Sequence, residues 1–176
     1  MPLLCLPTIP ILLIAMGNYK FSGHETFQCR HFWLKKGYDF ISTNKDFKAN
    51  DALVELGVGK NMVNSMSYWL KAFQIANAQN EATELGQRLF DSEGFDPFLE
   101  DIGTQFILHY KIQENASFAS IYKLTFETFR KTRIANEFTE SQLQDFIVKL
   151  LAKQGVSISP KSISSDVKVL LRMYLN

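Results

Sequence analysis

The chain has 176 residues, 46% of them hydrophobic and 21% charged, which is typical of a globular protein and unlike a disordered or fibrous one. Its two cysteines, Cys5 and Cys29, provide neither a disulfide framework nor a zinc-ligand spacing, so a reducing, cytoplasmic setting is expected. The net charge of +1 is unevenly distributed, with a net +3 in residues 1–80, −6 in residues 81–105 and +4 in residues 106–176. The two basic regions suit an anionic partner such as DNA, whereas the acidic region is expected to face away from DNA or toward another protein.

The first fifteen residues, Met1–Ala15, are uncharged, apolar and interrupted by three prolines. They lack the basic start and the small-residue cleavage site of a secretory leader, and they are too short to span a bilayer. We therefore expect a misassigned start or a disordered leader, with the natural chain beginning at Met16, and we expect no membrane partner.

The polar and aromatic segment from Tyr19 to Arg30 and the residue after it hold the one cluster of catalytic residue types, His24, Glu25, Cys29 and His31. The predicted catalytic residues among them are His24, Glu25 and His31. If the protein cleaves DNA, either histidine could serve as a general base or metal ligand beside Glu25, because phosphodiester hydrolysis needs an activated nucleophile. The alternative is a packed, hydrogen-bonded corner that holds the N-terminal segment against the helices. The spacing matches no known metal signature, so no metal site and no cofactor are predicted, and a divalent ion is expected only if the protein nicks DNA.

The most informative stretch runs from Asp51 to Phe73. A short helix over Asp51–Leu56, a turn containing Gly57 and Gly59, and a second, amphipathic helix follow the helix-turn-helix plan. The polar side of the second helix lacks Asp and Glu, and suits contact with phosphates and base edges. The residues predicted to contact DNA there are Lys60, Asn61, Asn64, Ser65, Tyr68 and Lys71. The alternative is an ordinary surface helix with a solvated polar face.

A polar turn at Asn77–Asn80 and a short helix ending at Phe90 come next, in the place where a winged-helix domain has a hairpin. The chain then becomes helical, with apolar repeats over Phe98–Lys111, Phe118–Phe129 and Glu140–Lys153. Asp96 is predicted to cap the first of these helices, and Thr139 with Gln142 forms a capping box for the last.

A final helix begins after Ser159-Pro160, and its polar side is basic. It could be a second element that contacts DNA or a simple packing helix. The residues predicted to contact DNA are Lys161, Ser162, Ser165 and Lys168.

Four motifs in order carry a family resemblance: Phe21-Ser22-Gly23-His24-Glu25-Thr26-Phe27, Trp33-Leu34-Lys35-Lys36-Gly37, Leu56–Val63 and Phe95–Asp101. From about Tyr19 onward the chain resembles the bacterial family called domain of unknown function 4007. That family is similar to the DNA-nicking component of single-strand DNA phosphorothioation systems. The resemblance implies a role in bacterial DNA modification or phage defence, with protein partners from such a system, and implies that the chain is truncated at its C-terminus.

We therefore predict a mainly α-helical protein with a winged-helix or helix-turn-helix-like DNA-binding domain over residues 16–92 and a helical subdomain over residues 93–176. The predicted function is binding of double-stranded DNA in a modification or defence system. One alternative is a DNA-nicking endonuclease subunit, and another is a helical scaffold that binds proteins through its acidic 81–105 segment.

Overall fold

The computed structural model describes residues 19–132 and 137–175, so the predicted leader Met1–Ala15 lies outside the described residues. Within these ranges the chain forms eight α-helices and one π-helical segment. They are α1 (Trp33–Ser42), α2 (Ala52–Leu56), α3 (Lys60–Ala72), α4 (Glu84–Phe90), α5 (Ile102–Glu114), α6 (Ser120–Lys123), the π-helix (Leu124–Phe129), α7 (Glu140–Lys153) and α8 (Pro160–Leu175). The predicted mainly helical class is confirmed.

Local sequence signals determine several helix ends. The Thr139 side chain accepts a hydrogen bond from the Gln142 N–H while the Gln142 side chain accepts one from the Thr139 N–H, which confirms the predicted capping box of α7. Gly155 follows the end of that helix with a φ of +72°, a conformation that suits glycine and stops the helix. The turn between α2 and α3 also contains a glycine of this kind, because Gly57 has a φ of +58°.

The start of α5 differs from the prediction. Asp96 is not its cap, because the Asp96 carboxylate instead accepts hydrogen bonds from the N–H groups of Glu100 and Asp101 and closes a loop. Asp101 caps the helix through the N–H of Gly103, and α5 begins at Ile102 rather than Phe98. Apolar residues at Phe98 and Leu99 continue the helical pattern in the sequence, but the side chain of Asp96 competes for the backbone donors that would start the helix.

The predicted wing is not confirmed. Among the described residues, the turn over 77–80 is bounded by a single antiparallel bridge between Ala76 and Ala82, with no strand on either side. The Asn77 side chain accepts hydrogen bonds from the N–H groups of Gln79 and Glu81, so the polar turn is closed locally before a hairpin can extend.

One buried cluster runs through the whole set of helices. In the N-terminal half, α1 packs against α3 and α4, and in the C-terminal half α7 packs against α8, which also contacts α6. Trp69 of α3 lies in this cluster against Tyr122 of α6, and the Asn115 side chain donates to the carbonyl of Lys71. The division into domains at residues 92 and 93 stays a prediction, and contacts such as these cross it.

Candidate nucleic-acid interface

His24 is buried, with 3% of its surface exposed, and it connects the N-terminal loop to α8. Its Nε2 lies 3.0 Å from Oδ1 of Asp166, whose side chain is fully buried. The same carboxylate accepts a hydrogen bond of 2.9 Å from the backbone N–H of Ser22. The imidazole packs against the rings of Tyr68 and Trp69 of α3.

Both ring nitrogens of His24 are already engaged. The backbone N–H of Thr26 donates to Nδ1 over 3.1 Å, so Nδ1 is an acceptor and the proton of the neutral ring is on Nε2, where it is donated to Asp166. Neither nitrogen is free to take a proton from a nucleophile. This arrangement favours the packed-corner interpretation of the motif over the catalytic one.

The structure does not bring the three predicted catalytic residues together in one environment. Glu25 is exposed, and His31 is exposed and packs edge-on against the ring of Phe32, whereas His24 is in the core. Within the part of the chain that the structure describes, no three His, Cys, Asp or Glu side chains are grouped so that they could hold a metal ion.

The exposed face of α3 is narrower than the sequence predicts. Lys60, Asn61 and Asn64 are exposed, as expected, but Ser65 and Tyr68 are buried, with 0% and 6% exposure. The prediction that these two residues face outward is therefore wrong. The N-terminal loop, through Gly23, and Phe118 cover Tyr68.

Tyr68 is packed closely by these covering residues. Its ring stacks on Phe118, and a side-chain carbon added at Gly23 would come within 2.8 Å of the ring. Burial, and to a smaller extent the charge of Asp166, raises the pKa of the Tyr68 hydroxyl. The ring is part of the core rather than a contact for DNA.

Lys71, at the C-terminal end of α3, is half-buried. Burial and the neighbouring charges of Lys20 and Lys48 lower the pKa of its ammonium group, and Asp46 opposes this only in part. Lys20 of the N-terminal loop and Lys48 of the α1–α2 loop thus each repel Lys71, and an anion bound nearby would relieve this repulsion.

The outer side of α8 forms a groove, called here the α8 groove, of about 550 Å³. Three of its lining side chains are cationic, and no Asp or Glu is among the described residues that line it. The lining residues are Thr26, Gln144, Pro160, Lys161, Ser164, Ser165, Lys168 and Arg172. Of the predicted α8 residues, Lys161, Ser165 and Lys168 lie here, whereas Ser162 is half-buried and does not line the groove.

The buried corner and the α8 groove are two sides of the same helix. Asp166 points inward to His24, and Arg172 Nη2 donates a hydrogen bond of 2.8 Å to the carbonyl of Thr26 on the outer side. The N-terminal loop therefore supplies one wall of the groove. Sequence reasoning missed Asp166, although an acid inside the apolar stripe of Ile163, Val167 and Leu170 is a signal for a buried polar partner.

The comparisons with known proteins agree with the resemblance drawn from the sequence. A family described as "Protein of unknown function (DUF4007)" matches residues 21–176. The chain belongs to this family. A comparison with curated proteins found no match.

Two crystal structures of SspB are similar to this member of the family. The magnesium-bound SspB structure has a TM-score of 0.73 and a second SspB structure one of 0.72, both with 32% identity over 88% of this chain. The likeness covers 49% of each SspB chain, so the present chain spans about half of their length. Among its described helices, none is long and apolar enough to cross a membrane.

Proposed function

We propose that this chain binds the sugar-phosphate backbone of double-stranded DNA as a component of a bacterial DNA phosphorothioation system. The observation that carries the proposal is the α8 groove, where Lys161, Lys168 and Arg172 surround a cavity whose described lining contains no carboxylate. Phosphate contacts from Lys and Arg supply most of the affinity of DNA-binding proteins.

Within the described residues, some hydrogen-bond donors of the groove have no acceptor in the protein. Arg172 uses Nε on the carbonyl of Lys168 and Nη2 on the carbonyl of Thr26, which orients the guanidinium and leaves Nη1 for a phosphate oxygen. The Ser164 and Ser165 hydroxyls add neutral donors beside the cations. A preoriented cation with adjacent hydroxyls suits a phosphodiester.

The exposed part of α3 is the second proposed contact. Lys60 and Asn61 lie in its first turn and Asn64 one turn further, and asparagine can hydrogen-bond to adenine edges in the major groove. Lys71, near Lys20 and Lys48, would add phosphate contacts. In this proposal α8 contacts the DNA backbone and α3 contacts the base edges.

The biological setting is proposed from the relatives. SspB is a phosphorothioation-system component, and its fold over half of its length is similar to this chain. We infer from this that the present chain works with the other proteins of such a system in DNA modification or phage defence, in the cytoplasm.

Nicking stays the alternative. The magnesium-bound SspB structure is the observation that favours testing it. The test is incubation of supercoiled plasmid with the chain and Mg²⁺. If the plasmid relaxes, loss of relaxation in Glu25→Ala, whose side chain is exposed, would support the predicted catalytic cluster. The engaged nitrogens of His24 argue for no relaxation by this chain.

A pair of lysine double variants tests the DNA-binding proposal. Lys161→Ala with Lys168→Ala should weaken binding to a short fluorescein-labelled duplex and lower the slope of log K against log salt by about two, one for each lost phosphate contact. The control is Lys149→Ala with Lys153→Ala, which removes two exposed lysines of α7 and the same total charge. Equal losses in the two double variants would show that net charge, rather than the α8 groove, governs binding.

A further inference from the structure

Helix α5 exposes a stripe of large apolar side chains. Ile102, Phe106 and Tyr110 repeat every four residues along one side of the helix and are 68%, 68% and 58% exposed. In the loop that leads into the helix, Phe95 and Phe98 are also exposed, with values of 82% and 59%. These five residues are called here the α5 ridge.

The opposite side of α5 is already buried by Leu108 and Ile112, so the helix is apolar on both sides. A helix that is apolar all round is typical of one that is covered on all sides. Contiguous apolar patches on a protein surface mark interaction sites, whereas single exposed apolar residues need no explanation. Ile102, Phe106 and Tyr110 are of the first kind, because residues four apart are neighbours on a helix surface.

The loop part of the ridge is held in place before any partner arrives. The Phe95 N–H donates to the carbonyl of Arg88 over 2.8 Å, and the Asp96 carboxylate accepts from the N–H groups of Glu100 and Asp101. Exposed phenylalanines on a hydrogen-bonded loop lose little conformational freedom on binding, which favours affinity.

The N-terminal end of the ridge is surrounded by negative charge, whereas at the other end the Lys111 ammonium lies 5.8 Å from the centre of the Tyr110 ring. Residues 89–110 contain no Lys or Arg, and Asp91, Glu93, Glu100 and Asp101 are all exposed around the N-terminal end of the ridge. Within residues 19–132 and 137–175 none of these four carboxylates forms an ion pair. DNA and anionic membranes would be repelled, and a cationic partner would be attracted.

We propose that the α5 ridge docks a protein segment that is apolar along one side and carries Lys or Arg beside it, such as a basic amphipathic helix of a partner protein. The apolar side would cover Ile102, Phe106 and Tyr110, and the basic residues would meet the acidic rim. This surface does not depend on the proposed DNA binding, because its charge is opposite to that of the α8 groove.

A designed peptide probes this surface directly. We would titrate the chain into a fluorescein-labelled amphipathic helical peptide with leucines on one side and lysines beside them, and into a second peptide with glutamate in place of lysine. The expected result is saturable binding of the lysine peptide that is weakened by salt, and at least about tenfold weaker binding of the glutamate peptide.

Matched variants assign the binding to the ridge. Phe106→Ser should weaken binding of the lysine peptide by about tenfold or more, whereas Val54→Ser, which removes an apolar residue that is 84% exposed on α2, should leave it unchanged. Glu93→Lys combined with Glu100→Lys should reverse the preference between the two peptides. Circular dichroism would establish that each variant is folded, which the exposure of these side chains leads us to expect.

Several outcomes would overturn the proposal. Equal affinity for both peptides, or unchanged binding by Phe106→Ser, would show that the ridge does not select a basic apolar segment. A dimer in sedimentation that Phe106→Ser dissociates would identify a second copy of the chain as the occupant. Binding to phosphatidylcholine vesicles that the same variant abolishes would identify a lipid surface instead.

Discussion

At the scale of single residues, the most informative feature is a polar pair in the core. His24 and Asp166 are far apart in the sequence, and both are almost fully buried. A buried carboxylate is stable only when its oxygens are hydrogen-bonded, and here the donors are the His24 ring and the Ser22 N–H. The pair thereby fastens the N-terminal loop to α8.

Replacing His24 tests this role. His24→Ala would leave the Asp166 carboxylate buried without its side-chain partner, and we expect a loss of about 3–5 kcal/mol in the free energy of unfolding measured with urea. His31→Ala, at an exposed position, should change it by less than about 0.5 kcal/mol. Similar small effects of both substitutions would contradict the structural role of His24.

Asp96 provides a pH-dependent test. Burial alone would raise its pKa, but hydrogen bonds from Glu100, Thr104 and Asp101 outweigh burial and lower it. Because the folded-state pKa is lower than the unfolded one, the stabilisation is present above the unfolded pKa and is lost as the pH falls through the folded pKa. Asp96→Asn should therefore cost about 1–3 kcal/mol at pH 7, and this difference should shrink below about pH 4.

The matched control for Asp96 is Glu93→Gln, an exposed carboxylate in the same acidic segment. Its stability should follow the wild type at each pH in thermal melts. A difference between Asp96→Asn and wild type that stays constant from pH 7 to pH 3 would show that the charge of Asp96 is not what closes the loop.

At the scale of elements, the α2–turn–α3 unit lies where the sequence places it. The glycines explain this, because Gly57 adopts a φ of +58° at the end of α2 and Gly59, with a φ of −69° and extended ψ, starts α3. The two positions therefore differ in how strongly they favour glycine. Only Gly57 has a backbone conformation that other residues adopt with strain.

Substitutions at the two glycines should have different effects on stability. Gly57→Ala should lower the free energy of unfolding by about 1 kcal/mol, since no neighbouring atom lies within 4 Å of the added carbon and only the left-handed φ is strained. Gly59→Ser should be neutral or slightly stabilising, because serine is a good N-cap and the position has open space. Chemical denaturation would measure both, and a loss for Gly59→Ser as large as that for Gly57→Ala would contradict this account of the turn.

Helices with strong local signals could be predicted from the sequence, and features that depend on distant residues could not. The capping box of Thr139 and Gln142 lies within four residues, so the start of α7 was predictable. The burial of Tyr68 was not, because it depends on a loop about forty residues earlier and on Phe118. For the same reason the polar side of α3 appeared wider in the sequence than it is.

The residues of the candidate site likewise divide into those with a local sequence signal and those that depend on distant residues. The basic side of α8 follows from helical spacing, so Lys161, Ser165 and Lys168 were found from the sequence. Thr26 and Gln144 line the same groove from other elements and gave no local signal. The His24 motif was visible, but only the long-range contact with Asp166 distinguishes a packed corner from a catalytic one.

At the scale of the whole molecule, charge separates two surfaces. The α8 groove is cationic, and the α5 ridge is apolar with an acidic rim. The net charges of +4 for residues 106–176 and −6 for residues 81–105 thus correspond to different proposed partners, DNA for the first and a basic protein segment for the second. Segregation of these charges is what would allow a chain with nearly zero net charge to bind both proposed partners.

The salt dependence of DNA binding tests the central claim most directly. Anisotropy titrations of a short duplex with the wild-type chain, from about 50 to 200 mM salt, should give a straight line of log K against log salt with a slope of about −3 or steeper, as expected if at least the three cations of the α8 groove each contact a phosphate. The absence of duplex binding at about 50 mM salt, or a slope near zero, would contradict the proposal that this chain binds the DNA backbone.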